Sequence, residues 1–278
     1  MLRASFFLGA LALTTSASAK DACSLWADGM PVGQVGASLY ESPAGSDRVC
    51  PRSSVSLSER PYLLADAPNF YGHILLGTEL AASYAQTDKL ELFGSLEVLR
   101  SDTVISAVSS SYTGLGDATL GARYVLVRDT YTAAALHGHL VLPTAIQLYD
   151  SASPFTIDLG GSVRHVLTDR VHLRGHLDLI ATTHVGPGPT NLRVGLAPTV
   201  GLDWRAGKAF GLTADLANSF GYDALYDYTA LGLGFRFAGG DRFGSELGVR
   251  LPLAGRERAL AVAELSFGVR LGALPSND

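Results

Sequence analysis

The chain has 278 residues, of which 47% are hydrophobic and only 17% are charged, and its formal net charge is −5. A composition this apolar and charge-poor excludes an intrinsically disordered chain, and the acidic balance argues against nucleic acid as a partner. Two cysteines are too few for a disulfide-stapled mini-scaffold or a cysteine-built metal centre.

Residues 1–19 have the pattern of a secretory signal peptide. A positive start, Met1–Arg3, precedes a short apolar run from Phe6 to Leu13, and Ala17–Ala19 is typical of a cleavage site. The run is too short to cross a bilayer as a helix, which needs about 20 apolar residues. We therefore expect the chain to be exported.

The segment 20–66 follows the signal peptide and contains both cysteines. Export to an oxidising compartment favours a disulfide between Cys23 and Cys50 over two free thiols. We also expect one strand, poorly marked in the sequence, within Pro31–Asp66. The remainder, 67–278, is expected to form the main domain.

From about Tyr71 onward, apolar and polar residues alternate. From Arg170 to Thr182 one set of alternate residues is apolar and the other carries most of the polar groups, and the same period recurs in Phe155–Val163, Leu192–Trp204 and Leu260–Gly272. Successive side chains of a strand point to opposite faces. About eleven such segments in succession, with hardly a helical pattern between them, predict an all-β protein.

Short and long connections alternate along the chain. The short ones are Gln86–Asp88, Arg128–Asp129, Thr168–Asp169, Arg205–Lys208 and Gly239–Asp241. The longer ones are about Ser101–Thr113, Thr144–Pro154, His184–Pro189, Gly221–Leu225 and Ala254–Arg258. Tight turns at one end and longer loops at the other are typical of transmembrane β-barrels, whereas a β-sandwich has no reason to place its long connections at one end.

Aromatic residues gather near the strand ends and fall on the apolar face. Aromatics at both ends of an apolar band form the girdles of a membrane barrel. The predicted girdle residues are Tyr84, Tyr124, Phe155, Trp204, Phe210, Phe220, Phe237 and Phe243.

We therefore predict a transmembrane, antiparallel, up-and-down β-barrel. The readable segments and the hidden strand make about 12 strands, an even number as in bacterial single-chain barrels, with 10 as the alternative. Pro198 lies in mid-strand, where it would cost a ladder hydrogen bond, and we interpret it as a β-bulge, with an error in the assumed register as the alternative.

Two motifs resemble a known family. Tyr84–Leu92 (YAQTDKLEL) is similar to the Tyr-Gly-x-Thr-Asp-x-Leu-Glu hairpin of a broad family of outer-membrane transporters, the barrels of phenol-degradation MetA-pathway type and their relatives, with Ala85 in place of the usual glycine. Gly114–Tyr124 (GLGDATLGARY) resembles that family's next strand, and the Thr-Asp hairpin recurs at Thr168–Leu173. The resemblance implies a membrane barrel and, by association, a transporter.

The polar face of the predicted strands carries the candidate functional residues. In a membrane barrel they face the lumen, because a charge on the lipid face costs about 2–4 kcal/mol near the midplane. They form either a closed, ion-paired interior or the wall of a wet channel, and Arg174, Asp178, Arg193 and Asp203 have the clearest assignments. The predicted lumen-lining residues are Arg123, His137, His139, Asp158, Arg164, His172, Arg174, His176, Asp178, Arg193, Asp203, Asp215, Arg236, Glu246, Arg250, Glu264 and Arg270.

We expect no metal site, cofactor or catalytic residue. His172 and His176 share a face but stand about 13 Å apart, at about 3.3 Å per residue, and no third ligand can be assigned to His137 and His139. His165 has outward parity near a turn, as in lipid-modifying barrels, but Ser162 points the other way. No catalytic or phosphate-binding motif occurs.

The sequence thus predicts a protein of the bacterial outer membrane that is not an enzyme and passes small molecules through a charged lumen. Its expected partners are outer-membrane lipid, a small-molecule solute and the barrel-assembly machinery. The alternatives are a closed structural or surface-interaction barrel, a periplasmic ligand-binding β-sandwich, and a barrel-embedded lipid-modifying enzyme.

Overall fold

The computed structural model describes residues 49–66, 71–105, 110–144, 154–184, 192–207, 209–220, 228–239, 243–255 and 259–270. The predicted signal peptide and Cys23 lie outside these residues, so the export signal and the Cys23–Cys50 bond stay predictions. In the part of the chain that is described, no helix has the length and apolar character needed to cross a membrane.

The described residues form thirteen β-segments and no helix. Their bounds are β1 Ser54–Asp66, β2 Tyr71–Ala85, β3 Leu90–Ile105, β4 Ser110–Gly114, β5 Ala118–Arg128, β6 Thr132–Leu142, β7 Pro154–Thr168, β8 Val171–His184, β9 Leu192–Arg205, β10 Phe210–Ser219, β11 Tyr228–Gly239, β12 Phe243–Gly255 and β13 Ala259–Arg270. Every described pairing is antiparallel.

The sheet closes on itself because β1 pairs with both β2 and β13. One half of β3 pairs with β4 and the other half with β5, so these two short segments occupy a single position in the wall. The described strands therefore make a closed barrel of 12 strands, which confirms the predicted fold class and strand number.

The strand hidden in the sequence is β1, and Pro61 lies in its middle. Pro61 pairs with Leu76 of β2, but the ladder to β13 skips Arg60 and Pro61, between Glu59 and Tyr62. A proline has no backbone N–H to donate, so the interruption on one side follows. The ladders on either side of the gap keep the strand in place.

The interpretation of Pro198 as a β-bulge is wrong. Pro198 pairs with Leu177 of β8 in a register without a shift. On the β10 side, the Thr199–Ala217 pair and the Leu196–Phe220 bridge have the same register. Strand β9 accommodates Pro198 by leaving it unpaired on the β10 side, as β1 leaves Pro61 unpaired on the β13 side. No extra residue is inserted, so there is no bulge.

Two of the short turns share one device. The Thr87 hydroxyl oxygen accepts hydrogen bonds from the backbone N–H groups of Lys89 and Leu90, at 3.2 and 2.9 Å. Thr168 does the same for Arg170 and Val171, at 3.2 and 3.0 Å. The repeated Thr-Asp motif therefore encodes a side-chain-capped turn. We call the end of the barrel that carries these turns the turn end.

At the opposite end the expected long connection Ser101–Thr113 is largely regular structure. Strand β3 continues to Ile105 and pairs there with β4. The polar residues of this stretch suggested a loop, but they form the outer part of a hairpin.

The two faces of the barrel differ in polarity. Large apolar side chains are exposed all around its outside, among them Leu120, Leu136, Leu159, Leu177 and Leu247. The alternate residues point inward and are mostly polar or charged. Such a surface is stable only in contact with an apolar medium, as expected of a membrane barrel.

Candidate functional site

The buried charged residues line the interior of the barrel. Of the residues predicted to do so, twelve are buried: Arg123, His137, His139, Asp158, Arg164, His172, Asp178, Asp203, Asp215, Arg236, Glu246 and Arg250. Arg174, His176 and Arg193 are partly buried. The side chains of Glu264 and Arg270 lie outside the described set.

Arginines and carboxylates on β7 to β12 form one connected network, which we call the arginine cluster. Its members are Arg164, Arg174, Asp203, Asp215, Arg236, Glu246 and Arg250. Asp203 stands at its centre. It accepts a hydrogen bond from Arg164, lies 2.9 Å from Nε of Arg174, and has Nη1 of Arg236 at 4.0 Å. Three permanent cations thus share one buried carboxylate.

Glycines on alternate strands let these charges meet. In register, Arg174 of β8, Gly201 of β9, Asp215 of β10, Gly232 of β11 and Arg250 of β12 form one row across the wall. A Cβ atom at Gly201 would lie 3.2 Å from Nη2 of Arg174, and one at Gly232 would overlap the Asp215 carboxylate. Because the glycines leave this space open, Nη2 of both arginines lies within 3.8 Å of Asp215 oxygens.

A second group on β6, β7 and β8 contains imidazoles and carboxylates. We call it the histidine–aspartate cluster, and its members are His137, His139, Asp158, His176 and Asp178. Nε2 of His137 lies 2.8 Å from Oδ1 of Asp178, and Nε2 of His176 lies 2.5 Å from Oδ2. Asp158 lies 3.9 Å from His137 and 3.8 Å from His139.

Sequence reasoning did not bring these five residues together. It compared histidines along single strands, whereas His137 meets Asp178 across β7, in the register His137–Gly160–Asp178. Gly160 is the one residue in the sequence that could have indicated this contact. A glycine on the inner face of a strand allows the side chains of the two flanking strands to approach each other. Glu91 and Arg52 were also missed. Glu91 lies 3.1 Å from Arg123, and both carboxylate and guanidinium are buried.

Ser162 completes a chain of hydrogen bonds with the same cluster. Its Oγ lies 2.7 Å from Nδ1 of His176, whose Nε2 contacts Asp178. A serine, a histidine and an aspartate in series resemble a nucleophile relay. Ser162 is, however, buried inside the barrel wall, so a lipid substrate at the outer surface does not reach it.

The segment before β1 enters the barrel at the turn end. The backbone N–H of Arg52 donates to Oε2 of Glu91 at 2.9 Å, and Ser83 donates to the carbonyl of Arg52 at 2.9 Å. One buried apolar cluster joins this segment to strands across the barrel: Val49, Cys50, Val125, Ala133, Ala135 and Val166. The segment therefore narrows the interior at this end.

The predicted girdle residues lie near strand ends, and five of them are strongly exposed: Tyr84, Tyr124, Trp204, Phe210 and Phe220. Phe155, Phe237 and Phe243 are partly buried. Phe237 contacts Phe210 and Phe243, with ring centroids 5.4 and 6.4 Å apart. These contacts tie β10, β11 and β12 together close to the turn end.

No family model and no curated protein sequence matches the chain. Solved structures do. An outer-membrane channel from Pseudomonas putida F1 is 13% identical and superposes with a TM-score of 0.64, over 83% of this chain and all of that one. The β domain of the Bordetella autotransporter BrkA is 12% identical, with a TM-score of 0.53, over 79% of this chain and all of that one.

These likenesses show the fold. The chain folds as an outer-membrane β-barrel of 12 strands. One of these structures is a channel and the other an autotransporter domain. The fold alone therefore does not distinguish passage of solutes from other functions. The choice depends on the interior.

Proposed function

We propose that the protein resides in the bacterial outer membrane and passes small molecules along the charged interior of its barrel. Membrane residence is supported by the apolar outer surface. Passage is supported by the inner face, where arginines and carboxylates of the neighbouring strands β7 to β12 meet, as in pores whose charged walls select solutes. The likeness to an outer-membrane channel agrees with both parts of the proposal. The link to phenol-degradation transporters rests on the two sequence motifs alone.

In this proposal a solute passes the arginine cluster. The central residue of this cluster is Asp203, which contacts guanidinium groups of three strands. A solute with a carboxylate or hydroxyl group could exchange places with Asp203 at one of these arginines, since guanidinium binds planar oxyanions well. Among the described arginines predicted to line the lumen, Arg174 and Arg193 are the partly buried ones.

Single-channel conductance in a planar bilayer tests the proposal. We expect discrete steps whose size depends on salt concentration for the wild type. Asp203→Asn removes one negative charge from the interior at nearly constant volume, so we expect cation selectivity to fall. Asp88→Asn is the matched control, because Asp88 is exposed in a turn, and its selectivity should equal that of the wild type.

One observation favours a second candidate, a closed barrel with a structural role. Arg123, Arg164 and Asp158 are at most 2% exposed, and residues 49–52 occupy the turn end of the interior. A correctly folded wild type that gives no conductance steps, and no flux of small sugars into liposomes, would overturn the transport proposal in favour of this one. Neither candidate includes a catalytic step.

A further inference from the structure

The histidine–aspartate cluster has the donor set of a metal site. A ring nitrogen of His137, a ring nitrogen of His176 and a carboxylate oxygen of Asp178 all lie within 4.8 Å of one another. Imidazole nitrogen with carboxylate oxygen suits zinc, cobalt, nickel and copper, whereas magnesium and calcium prefer ligand sets made of oxygen. We propose that this cluster binds one divalent transition-metal ion of the zinc class.

Gly160 creates the space in which these ligands converge. His137 and Asp178 flank it in register on β6 and β8. A Cβ atom there would overlap Oδ1 of Asp178 and lie 2.5 Å from Nε2 of His137. The two side chains therefore meet above the glycine. Both belong to hydrogen-bonded strands, which hold the ligands on a rigid part of the scaffold.

To share an ion, the two imidazole rings must reorient. The rings of His137 and His176 are stacked, with centroids 4.9 Å apart and planes 3° from parallel, whereas an ion lies in the plane of each imidazole that binds it. Bonds of about 2.0–2.1 Å in a tetrahedral site place ligand atoms about 3.4 Å apart, and the two imidazole nitrogens already lie 2.8 and 2.5 Å from Asp178 oxygens. Rotation of one ring out of the stack would direct both nitrogen lone pairs at one ion. Asp158, 3.9 Å from Nε2 of His137, is placed to supply a further oxygen.

Ser162 provides the outer partner that a metal-bound histidine needs. It lies 2.7 Å from Nδ1 of His176. With an ion on Nε2 of His176, the ring proton would reside on Nδ1, and this N–H group would donate a hydrogen bond to Oγ of Ser162. Such hydrogen bonds fix the tautomer and the orientation of the ring.

Cobalt binding by the full-length purified protein tests the proposal and needs no channel activity. Tag-free protein folded in detergent is stripped with EDTA, transferred to chelator-free buffer and titrated with Co²⁺, whose visible absorption reports nitrogen and oxygen coordination. We expect saturation at one Co²⁺ per chain and displacement by Zn²⁺. His176→Asn and Asp178→Asn should weaken binding at least tenfold, since each removes a ligand.

His172→Asn is the matched control, because His172 is buried on the same face of the same strand and is no member of the cluster. It should bind Co²⁺ as the wild type does. Ser162→Ala keeps every ligand and should weaken binding about 10–100-fold. This variant tests the proposal even if a variant that lacks a ligand fails to fold. The absence of saturable binding by the wild type, or an equal loss in His172→Asn, would overturn the proposal.

Discussion

The two charged clusters inside the barrel solve the same problem in different ways. Both bury carboxylates within a membrane-embedded wall. In the arginine cluster, Asp203, Asp215 and Glu246 face guanidinium groups, which are permanently charged. In the histidine–aspartate cluster, Asp158 and Asp178 face imidazoles, which carry charge only when they are protonated. The first cluster has four permanently charged guanidinium groups for three carboxylates, whereas the second has no permanent cation among its five members.

We expect the largest loss of stability when the carboxylate at the centre of the arginine cluster is removed. Asp203→Ala leaves Arg164, Arg174 and Arg236 without their shared carboxylate, and removal of one partner of a buried ion pair costs about 3–5 kcal/mol. We expect the free energy of unfolding, measured by urea titration in detergent, to fall by this amount. Asp88→Ala, at an exposed turn, is the control. A loss below about 1 kcal/mol, as for a surface pair, would mean that the cluster is solvated.

We expect Zn²⁺ to stabilise the protein only by binding to the histidine–aspartate cluster. At 100 times the dissociation constant, a ligand specific to the folded state adds about 2.7 kcal/mol. Zn²⁺ should therefore raise the melting temperature of the wild type and of Asp203→Asn, and EDTA should reverse the rise. His176→Asn should show no such rise. If Zn²⁺ stabilised this variant as much as the wild type, the ion would bind elsewhere.

The adjacent glycines of β7 offer a sharper comparison. Gly160→Ala places a methyl group against Asp178 and His137, and overpacking of this kind costs about 1–3 kcal/mol. It should also abolish saturable Co²⁺ binding. Gly161→Ala would place its methyl group 3.5 Å from Leu136, an ordinary contact, and should leave both stability and binding unchanged. Equal effects of the two substitutions would contradict the role given to Gly160.

The smallest effect is expected outside both clusters. Thr168→Ala removes the acceptor of two backbone N–H groups in an exposed turn, worth about 1 kcal/mol. Unfolding in urea should show this loss with no change in Co²⁺ binding or ion selectivity. Thr168→Ser keeps the hydroxyl and should restore stability. If Thr168→Ala lowered the free energy of unfolding more than Asp203→Ala does, the turns would contribute more to stability than the arginine cluster, contrary to this account.

Much of this architecture could be predicted from the alternation of apolar and polar residues along the chain. The period of two assigns each side chain to one face of its own strand, so the inward direction of Arg123, Asp178 and Asp203 followed without knowledge of their neighbours. Strand β2 begins at Tyr71, where the alternation was predicted to begin. The motif Thr-Asp marked two turns that the structure caps in the same way.

The meeting of charges across strands could not be predicted, because it depends on register. Bulges, such as those at Val125–Val127 and Val166–Thr168, shift the register in ways that alternation does not reveal. His137 therefore seemed to lack a third ligand, although Asp178 and His176 stand two strands away. Pro198 misled in the same way, since a strand that lacks hydrogen bonds to one neighbour at a proline has no sequence signature.

The contrast between the clusters is tested most directly by anomalous diffraction at the zinc edge, from crystals of the full chain grown with equimolar Zn²⁺. We predict one strong peak bounded by Nε2 of His137, Nε2 of His176 and the carboxylate of Asp178, and none in the arginine cluster. Ordered protein side chains at these positions with no peak between them, or a peak only at other histidines such as His172, would contradict the assignment.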